Sequence, residues 1–331
     1  MMELVKAGGG LQIKACSYAP LTQGVVINDE IADAKTFTFL LKQALQKPQF
    51  GRLGSSYVVA SLPESKSFVR VVQIPKMSES EAESAVPYEA ENFIPLPLDQ
   101  VYLDWEKIGE SGDKMNVLMI ATPKTFVDKY LEILDSVGLK TVALEVESQS
   151  CRRALISPDN PENVLLIDLD ASRSSLIMIE EGNIQFTSTI PVAGNTFTDA
   201  IARVLGVSAA KAEQVKQRVG ISNTAEYPNI QTSLLPILNN LSSEIKNILR
   251  FHSEHSDKQV SKVVLLGGTS KLKNLPEYLA PQLQEAGIAT VEVANPWINL
   301  PNLKSPPISN YDALSFVTAI GLAKRGMEFE V

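Results

Sequence analysis

The chain carries one succession of elements twice, and this repeat limits the folds it can adopt. The segments 2–24 (MELVKAGGGLQIKACSYAPLTQG) and 175–195 (SLIMIEEGNIQFTSTIPVAGN) each read as a strand, a glycine-centred turn, a second strand, then proline followed by glycine. Each then enters an apolar-periodic helix through Thr-Phe-Thr. Such patterns are typical of β-hairpins followed by helices. They predict a duplicated α/β protein, with chance similarity of two hairpins as the alternative.

The second copy begins one element earlier than the first. Residues 163–175 (NVLLIDLDASRSS) supply an apolar strand and a turn, whereas the first copy starts at Met1, directly before its hairpin. A central strand missing from a sheet leaves buried backbone groups unpaired, which is costly. We therefore expect the first strand and loop of the first copy to lie upstream of Met1, and their loss from this protein is the alternative.

Bulk properties restrict the class of protein further. A chain of 331 residues favours two domains with a cleft between them. A net charge of -8 without a basic stripe argues against binding to nucleic acid or anionic lipid. The cysteines, Cys16 and Cys151, predict neither a disulfide framework nor a CxxC site, so a reducing cytosol is expected. His252 and His255 are too few ligands for zinc, so no metal is predicted.

The middle of the chain reads as alternating strands and helices. Ser78 and Glu81 form a capping-box pattern at the start of a helix that Pro87 should kink or split. Two strands then flank the turn Glu-Ser-Gly-Asp, and a following helix should stop at Gly138. This alternation favours α/β architecture.

Five segments in chain order resemble the PilM family of type IV pilus assembly proteins, which lies within the actin-like ATPase superfamily and is related to FtsA. They are VVQIPKMSESEAESAVPYEAENFIPLPLDQVYLDWEKI (71–108), GVSAAKAEQVK (206–216), VVLLGGTSKLKNL (263–275), VEVANPWINL (291–300) and ALSFVTAIGLAKR (313–325). The resemblance implies a duplicated actin-like, ribonuclease H-like fold with two lobes around a nucleotide cleft. It places the first lobe at 1–27, 111–150 and 308–331, an inserted subdomain at 28–110, and the second lobe at 151–307.

The same resemblance implies ATP with Mg²⁺ in the cleft. The implied contacts are Asp168, Ala171, Ser172, Ser174, Glu213, Lys216, Gly267, Gly268, Thr269 and Ser270. Asp170 stands where the family has glycine in the second phosphate loop, and its carboxylate would repel phosphate unless a cation intervened. A plain corner between strands is the alternative for this turn. For the two glycines the alternative is a strand-to-helix turn, and for Glu213 and Lys216 a solvated ion pair.

No catalytic residue is assigned. Glu147 and Gln149 lie where relatives keep an acidic residue, but nothing else in the sequence supports a catalytic role for them. In addition, the first phosphate loop of the superfamily has no counterpart in the sequence. The expected role is therefore a non-catalytic scaffold of a type IV pilus platform, or of a related type II secretion or competence system.

By resemblance, the scaffold would be cytoplasmic and peripheral to the inner membrane. It would bind the cytoplasmic N-terminal segment of a PilN-like membrane protein beside the inserted subdomain, with other platform proteins and pilus ATPases as further partners. The candidate contacts are Tyr88, Asn92, Phe93, Ile94 and Leu96, and a core position is the alternative for Phe93 and Ile94. An FtsA-like filament-forming protein, and an active ATPase or sugar kinase of the same fold, are the competing functions.

Overall fold

The structure is a computed structural model that describes residues 1–22, 24–157, 159, 162–300, 302–303 and 306–329. The predicted lobes reach beyond these ranges: residues 23, 330 and 331 of the first and residues 158, 160, 161, 301, 304 and 305 of the second lie outside the described residues.

The strands are β1 (Met2–Ala7), β2 (Gly10–Cys16), β3 (Val26–Ile27), β4 (Glu30–Ile31), β5 (Phe50–Gly51), β6 (Tyr57–Leu62), β7 (Phe68–Pro75), β8 (Val101–Ser111), β9 (Lys114–Pro123), β10 (Lys140–Val146), β11 (Val164–Leu169), β12 (Ser174–Glu180), β13 (Asn183–Ile190), β14 (Lys262–Leu266) and β15 (Thr290–Val293). The helices are α1 (Ala34–Gln46), α2 (Glu79–Ala90), α3 (Lys124–Ser136), α4 (Glu147–Leu155), α5 (Gly194–Leu205), α6 (Ala209–Val219), α7 (Ile230–His255), α8 (Leu275–Leu283), α9 (Asn310–Ala313) and α10 (Val317–Gly326).

The predicted repeat is confirmed. In the first copy β1 pairs antiparallel with β2, closing at Ala7 opposite Gly10, and α1 follows. In the second copy β12 pairs antiparallel with β13, closing at Glu180 opposite Asn183, and α5 follows. The chain is therefore a duplicated α/β protein.

The two copies differ in how their strands assemble. An eight-stranded sheet has the order β15-β14-β11-β12-β13-β7-β9-β8, in which β11 is parallel to β14 and antiparallel to β12. Every position of β11 is buried. The strands of the first copy instead form two separate sheets, β1-β2-β5 and β10-β6. In the second copy, β11 pairs with strands on both of its sides. Among the described strands of the first copy, none joins the two small sheets in this way.

The inserted subdomain consists of β7, α2, β8 and β9 around its own apolar core. That core includes Val72 of β7, Val86 of α2 and Met115 of β9. These four elements span Phe68–Pro123. Before them in the chain, β6 pairs with β10 and α1 contacts α3. The boundaries 28–110 of the subdomain stay a prediction. Pairing of Arg70 with Phe186 joins the subdomain to the sheet of the second lobe.

Helix α2 begins as predicted but is not split. The Ser78 side chain accepts a hydrogen bond from the Glu81 amide, and the Glu81 carboxylate accepts one from the Ser78 amide (2.8 Å), which is the predicted capping box. The helix runs through Pro87 to Ala90. Proline frees the carbonyl of Glu83, but this position is exposed and water can bond to it. Of the predicted kink or split at Pro87, the split therefore does not occur.

Helices α4 and α10 cross at very short distance and connect the copies. At the crossing, a β-carbon built on Gly321 would lie 1.9 Å from the backbone oxygen of Ser150, so the crossing requires glycine. Among the described residues, no helix is long and apolar enough to cross a membrane.

Candidate functional site

Three segments meet at the carboxyl end of β11 and line a cleft. The β11–β12 turn (Asp170–Arg173) touches the start of α5, where the amide of Gly194 donates to the carbonyl of Asp170 (2.8 Å). The hydroxyl of Thr269, after β14, donates to the same carbonyl (3.1 Å). The structure therefore brings together the predicted positions around Asp168 and around Gly267.

Gly267 is required by packing within the protein. Its φ is 82°, and a β-carbon there would lie 2.4 Å from Oδ1 of Asp168 and 2.7 Å from the oxygen of Leu169. Gly268 has ordinary φ, and a β-carbon on it would have its nearest neighbour, Oγ of Ser315, at 3.7 Å. The backbone at Gly267 thus lies close to β11. Gly268, in contrast, has space beside it for a larger side chain.

The predicted phosphate-side residues differ in what their side chains can reach. Ala171 and Ser172 are exposed at the tip of the turn. Ser174 is buried, and its hydroxyl donates to the carbonyl of Val192 (2.5 Å). Ser270 is also buried, with its hydroxyl donating to Gly267 (2.7 Å). Ser172 is therefore the hydroxyl of this group that faces solvent, while Ser174 and Ser270 hold the loops in place.

Four carboxyl groups surround the cleft end of the turn: Glu64, Glu147, Asp168 and Asp170. Burial raises the pKa of Glu64 and, together with the charge of Asp170, raises the pKa of Asp168 well above its usual range. Burial and the charge of Asp170 raise the pKa of Glu147 to about 8, while a hydrogen bond from the Glu64 backbone amide acts in the opposite direction. The pKa of Asp170 is raised to about 6 by desolvation, although solvent reaches it through the cleft.

Arg173 connects the two copies across the cleft. Its guanidinium pairs with Glu147 (3.0 Å) and with Asp29, in the β3–β4 turn, and its side chain is only 13% exposed. Sequence reasoning missed Asp29 and Glu64. The left-handed pair Asn28 and Asp29 marks only a turn, and no local pattern shows that this turn meets Arg173 from the other half.

Replacing Asp170 by asparagine should make the stability of the chain less dependent on pH. The folded-state pKa of Asp170, about 6, lies above the ordinary 3.8, so the native state binds this proton more tightly than the unfolded state. Its contribution is fully present below the ordinary pKa and is lost as pH rises through about 6. We expect a loss on the order of 1 kcal/mol, because solvent screens part of the effect.

Urea unfolding at about pH 4.5 and about pH 7 measures this difference. Asp199→Asn, on the exposed face of α5, is the matched control. If Asp170→Asn and Asp199→Asn change the pH dependence equally, the pKa shift of Asp170 is contradicted.

Glu213 and Lys216 form a partly buried network rather than a solvated pair. Lys216 is 8% exposed, and its ammonium donates to the carbonyl of Gly194 (3.0 Å) and the hydroxyl of Thr198 (2.9 Å). It also pairs with Glu213 (2.7 Å), whose side chain is 39% exposed. Lys216 therefore holds α6 against α5, and the partly exposed Glu213 accepts a further hydrogen bond from the side-chain amide of Gln217 (3.0 Å).

The predicted partner-binding residues are split between surface and core. Tyr88 is 72% and Phe93 40% exposed, and the Arg70 guanidinium stacks over the Phe93 ring at 5.0 Å. Asn92 is exposed and Leu96 partly exposed, whereas Ile94 is 7% exposed and packs in the subdomain core, as the alternative held. Beside them, an open cavity of ≈ 520 Å³ is lined by residues that include Glu91, Leu96 and Asp99.

The duplicated lobes, the cleft between them and the inserted subdomain define an actin-like protein. Solved structures with this fold are similar over most of the chain. EutJ from Carboxydothermus hydrogenoformans is 15% identical, with 90% of this chain and 77% of that chain covered and a TM-score of 0.53. MreB5 of Spiroplasma citri bound to ADP is 16% identical, with 98% and 82% covered and a TM-score of 0.52.

The match extends to a family. Residues 1–327 match the family described as type IV pilus assembly protein PilM, and the chain belongs to this family. A solved PilM-PilN type IV pilus biogenesis complex is 28% identical, with 99% of this chain and 95% of that chain covered and a TM-score of 0.81. The predicted resemblance to the PilM family and the actin-like fold is confirmed.

Among known proteins, FtsA of Buchnera aphidicola subsp. Schizaphis graminum is 22% identical over 252 residues, and FtsA of Bacillus subtilis is 23% identical over 170 residues. These alignments cover 67% and 49% of this chain. They span only 58% and 38% of the length of the two FtsA proteins.

Proposed function

We propose that this chain is a non-catalytic, cytoplasmic scaffold of a type IV pilus platform, or of a related secretion or competence system. It binds the cytoplasmic N-terminal segment of a PilN-like protein and is thereby held at the inner membrane. The observation that carries the proposal is the likeness to the PilM-PilN complex along nearly the whole chain, with a TM-score of 0.81.

The surface of the inserted subdomain suits a short peptide. Tyr88 and Phe93 provide exposed aromatic anchors, the residue type that contributes most to small interfaces. Glu91 and Asp99 line the neighbouring cavity. Cytoplasmic segments close to a membrane-spanning helix are rich in lysine and arginine, so these carboxylates complement the expected charge of the peptide.

Replacing both Tyr88 and Phe93 by alanine should weaken peptide binding on the order of 100-fold. The two rings are exposed, so the loss comes from the interface rather than from the core. Fluorescence anisotropy measures the affinity, with a labelled peptide that copies the N-terminal cytoplasmic segment of the PilN-like protein from the same organism.

Tyr311→Ala is the matched control, because Tyr311 is 49% exposed and lies on α9, outside the subdomain. This variant should bind the peptide as the unmodified chain does. Unchanged binding by the Tyr88 and Phe93 double variant, with unchanged thermal unfolding, would contradict the proposed contact surface.

We further propose that ATP modulates the scaffold as its magnesium complex. Mg²⁺ is commonly bound by one or two carboxylates together with substrate phosphates, and Asp168 and Asp170 supply such oxygens at the turn. Without the cation, Asp170 would repel phosphate. The exposed hydroxyl of Ser172 and the partly exposed carboxylate of Glu213 provide polar contacts.

Nucleotide can shift the protein from one arrangement of the lobes to another only if it binds the two arrangements with different affinities. The ion pairs of Arg173 with Asp29 and Glu147 bridge the lobes beside the turn. A phosphate group near the turn competes with these carboxylates for the guanidinium, and this competition is the proposed source of unequal binding.

Mg²⁺-ATP should raise the midpoint of thermal unfolding in a saturable manner. A ligand that binds only the native state adds about 2.7 kcal/mol at a hundredfold excess over Kd. ATP with EDTA should give a much smaller rise, because no cation then separates Asp170 from phosphate. An assay for released phosphate should detect no turnover. Absence of any rise with millimolar Mg²⁺-ATP contradicts nucleotide binding and leaves the peptide proposal untouched.

A further inference from the structure

The chain enters the inserted subdomain through a short connector, residues 63–67, which lies between the end of β6 and the start of β7. The connector contains a single turn of 3₁₀ helix, Glu64–Lys66. Strand β7 pairs with β13 of the second lobe at one position, where Arg70 is opposite Phe186. Because β7 follows the connector directly, a change in the shape of the connector acts on the strand that joins the subdomain to this lobe.

Two carboxyl oxygens link Arg173 to the connector. Oε2 of Glu147 accepts a hydrogen bond from the Arg173 guanidinium (3.0 Å) and another from the backbone amide of Glu64 (3.3 Å). Oδ2 of Asp29 pairs with the same guanidinium and accepts a hydrogen bond from the hydroxyl of Ser65 (2.6 Å). Arg173 is therefore linked to two consecutive residues of the connector, through one shared acceptor atom for each.

Hydrogen bonds within the connector and around Glu64 keep it folded. The amides of Lys66 and Ser67 donate to the carbonyls of Pro63 (3.1 Å) and Glu64 (3.2 Å). The Glu64 side chain is buried, and its carboxyl group accepts hydrogen bonds from the amide (3.2 Å) and the hydroxyl (3.1 Å) of Ser148. Exchange of the amides of Lys66 and Ser67 therefore reports whether the connector keeps its shape.

We propose that Arg173, together with Asp29 and Glu147, forms a latch that couples a phosphate-bearing ligand in the cleft to the orientation of the inserted subdomain. Arg173 closes the β11–β12 turn, where its carbonyl accepts a hydrogen bond from the amide of Asp170 (3.1 Å). Arginine binds phosphate through two parallel hydrogen bonds. A phosphate group at this turn therefore draws the guanidinium away from the two oxygens that hold the connector.

Release of the latch loosens the connector. The carboxylate of Asp29 loses the cation that orients it, so its hydrogen bond to Ser65 weakens. Strand β7, and with it the surface of Tyr88 and Phe93, then gains freedom relative to the lobes. This step rests on the proposed function for the identity of the ligand, while the latch itself is testable without nucleotide. By linkage, a peptide that stabilises one state of the connector changes the affinity for nucleotide by the factor with which nucleotide changes the affinity for the peptide.

Replacing Arg173 by glutamine should accelerate hydrogen exchange in the connector, because glutamine carries no positive charge. Without nucleotide, exchange measured by mass spectrometry in fragments that contain Lys66 and Ser67 should be about fivefold faster or more. Arg218→Gln is the matched control, since it removes an exposed ion pair with Glu226 (2.9 Å) in the second lobe. Exchange in the connector should not change in this control, and unchanged exchange in Arg173→Gln would overturn the latch.

A second substitution tests the route through Asp29. Ser65 is exposed, so Ser65→Ala keeps the fold while it removes the hydrogen bond between the connector and Asp29. In the Ser65→Ala background, Arg173→Gln should accelerate exchange in the connector by less than about twofold, because this link is already lost. An equal acceleration in both backgrounds would overturn the route.

Exchange in β11 distinguishes release of the latch from general destabilisation, and it should be the same in all variants. Where Arg173→Gln also accelerates exchange in β11, Arg173→Lys replaces it, because lysine keeps the charge but lacks the planar fork that pairs with two carboxyl groups. Acceleration confined to the connector in Arg173→Lys supports the latch. Equal acceleration in the connector and in β11 overturns it.

Nucleotide provides the final comparison. Mg²⁺-ATP should accelerate exchange in the connector of the unmodified chain and should add nothing in Arg173→Gln. A thermal midpoint that rises with Mg²⁺-ATP while exchange in the connector stays unchanged would overturn the coupling between ligand and latch. Absence of any thermal rise contradicts the nucleotide site itself, and the variants alone then decide on the latch.

Discussion

Replacing Gly321 by alanine should destabilise the chain by about 3 kcal/mol or more, at the upper end of the cost of overpacking. The new β-carbon would lie 1.9 Å from the oxygen, 2.5 Å from the carbonyl carbon and 2.8 Å from the α-carbon of Ser150. These are backbone atoms of α4, so no side-chain rotation relieves the overlap. Helix α10 must move away from α4, which weakens the packing of Val317 and Ile320 in the core.

Urea unfolding followed by circular dichroism measures the loss. Gly326→Ala, at the last residue of α10, is the matched control because its β-carbon would meet only Cγ2 of Val59, at 3.8 Å. This control should be neutral or stabilising by a few tenths of a kcal/mol, since alanine favours helix. Similar stability of the Gly321 and Gly326 variants would show that the helices do not cross as closely as described.

Gly267→Ala should also be strongly destabilising, by about 2 to 3 kcal/mol. The residue has φ 82° and ψ 173°, a region open essentially to glycine alone. The added β-carbon would also approach Oδ1 of Asp168 and the backbone of Leu169 within 3 Å. Relief requires displacement of the loop from the end of β11, and the hydrogen bond from Thr269 to the turn is lost with it.

Substitutions of the neighbouring Gly268 distinguish an effect on the packing of the loop from an effect on nucleotide binding. Gly268→Ala should leave the unfolding free energy within about 0.5 kcal/mol, because its β-carbon would have only ordinary contacts. If a nucleotide passes beside Gly268, bulkier Gly268→Val should reduce the thermal shift produced by Mg²⁺-ATP while keeping the fold. Equal loss of stability in the Gly267 and Gly268 alanine variants would contradict the described loop.

Much of the local structure could be predicted because its causes are local. The β1–β2 and β12–β13 hairpins follow from strand alternation around glycine turns, and the start of α2 follows from Ser78 and Glu81. The family resemblance is likewise carried by continuous segments. Pairings between strands distant in sequence, such as β6 with β10 and β9 with β7, could not be predicted in this way.

The candidate site shows the same division. The family resemblance placed the β11–β12 turn and the loop at Gly267 in one site, and the structure brings them together through the carbonyl of Asp170. The sequence did not show that the Ser174 hydroxyl donates to the carbonyl of Val192, or that Arg173 forms an ion pair with Asp29. Such side-chain contacts depend on how whole lobes pack together. They therefore cannot be predicted from a local pattern in the sequence.

The sequence by itself determined the duplication, the order of strands and helices, and the membership of the family, since periodicity, turn chemistry and continuous motifs act over short stretches. The tertiary structure alone decided that Ile94 is core while Tyr88 and Phe93 are surface, and that α4 and α10 meet at Gly321. It alone revealed that Arg173 is linked to the connector through shared acceptor oxygens. The physical reason is that burial, close approach and ion pairs between lobes are properties of segments brought together from distant parts of the chain.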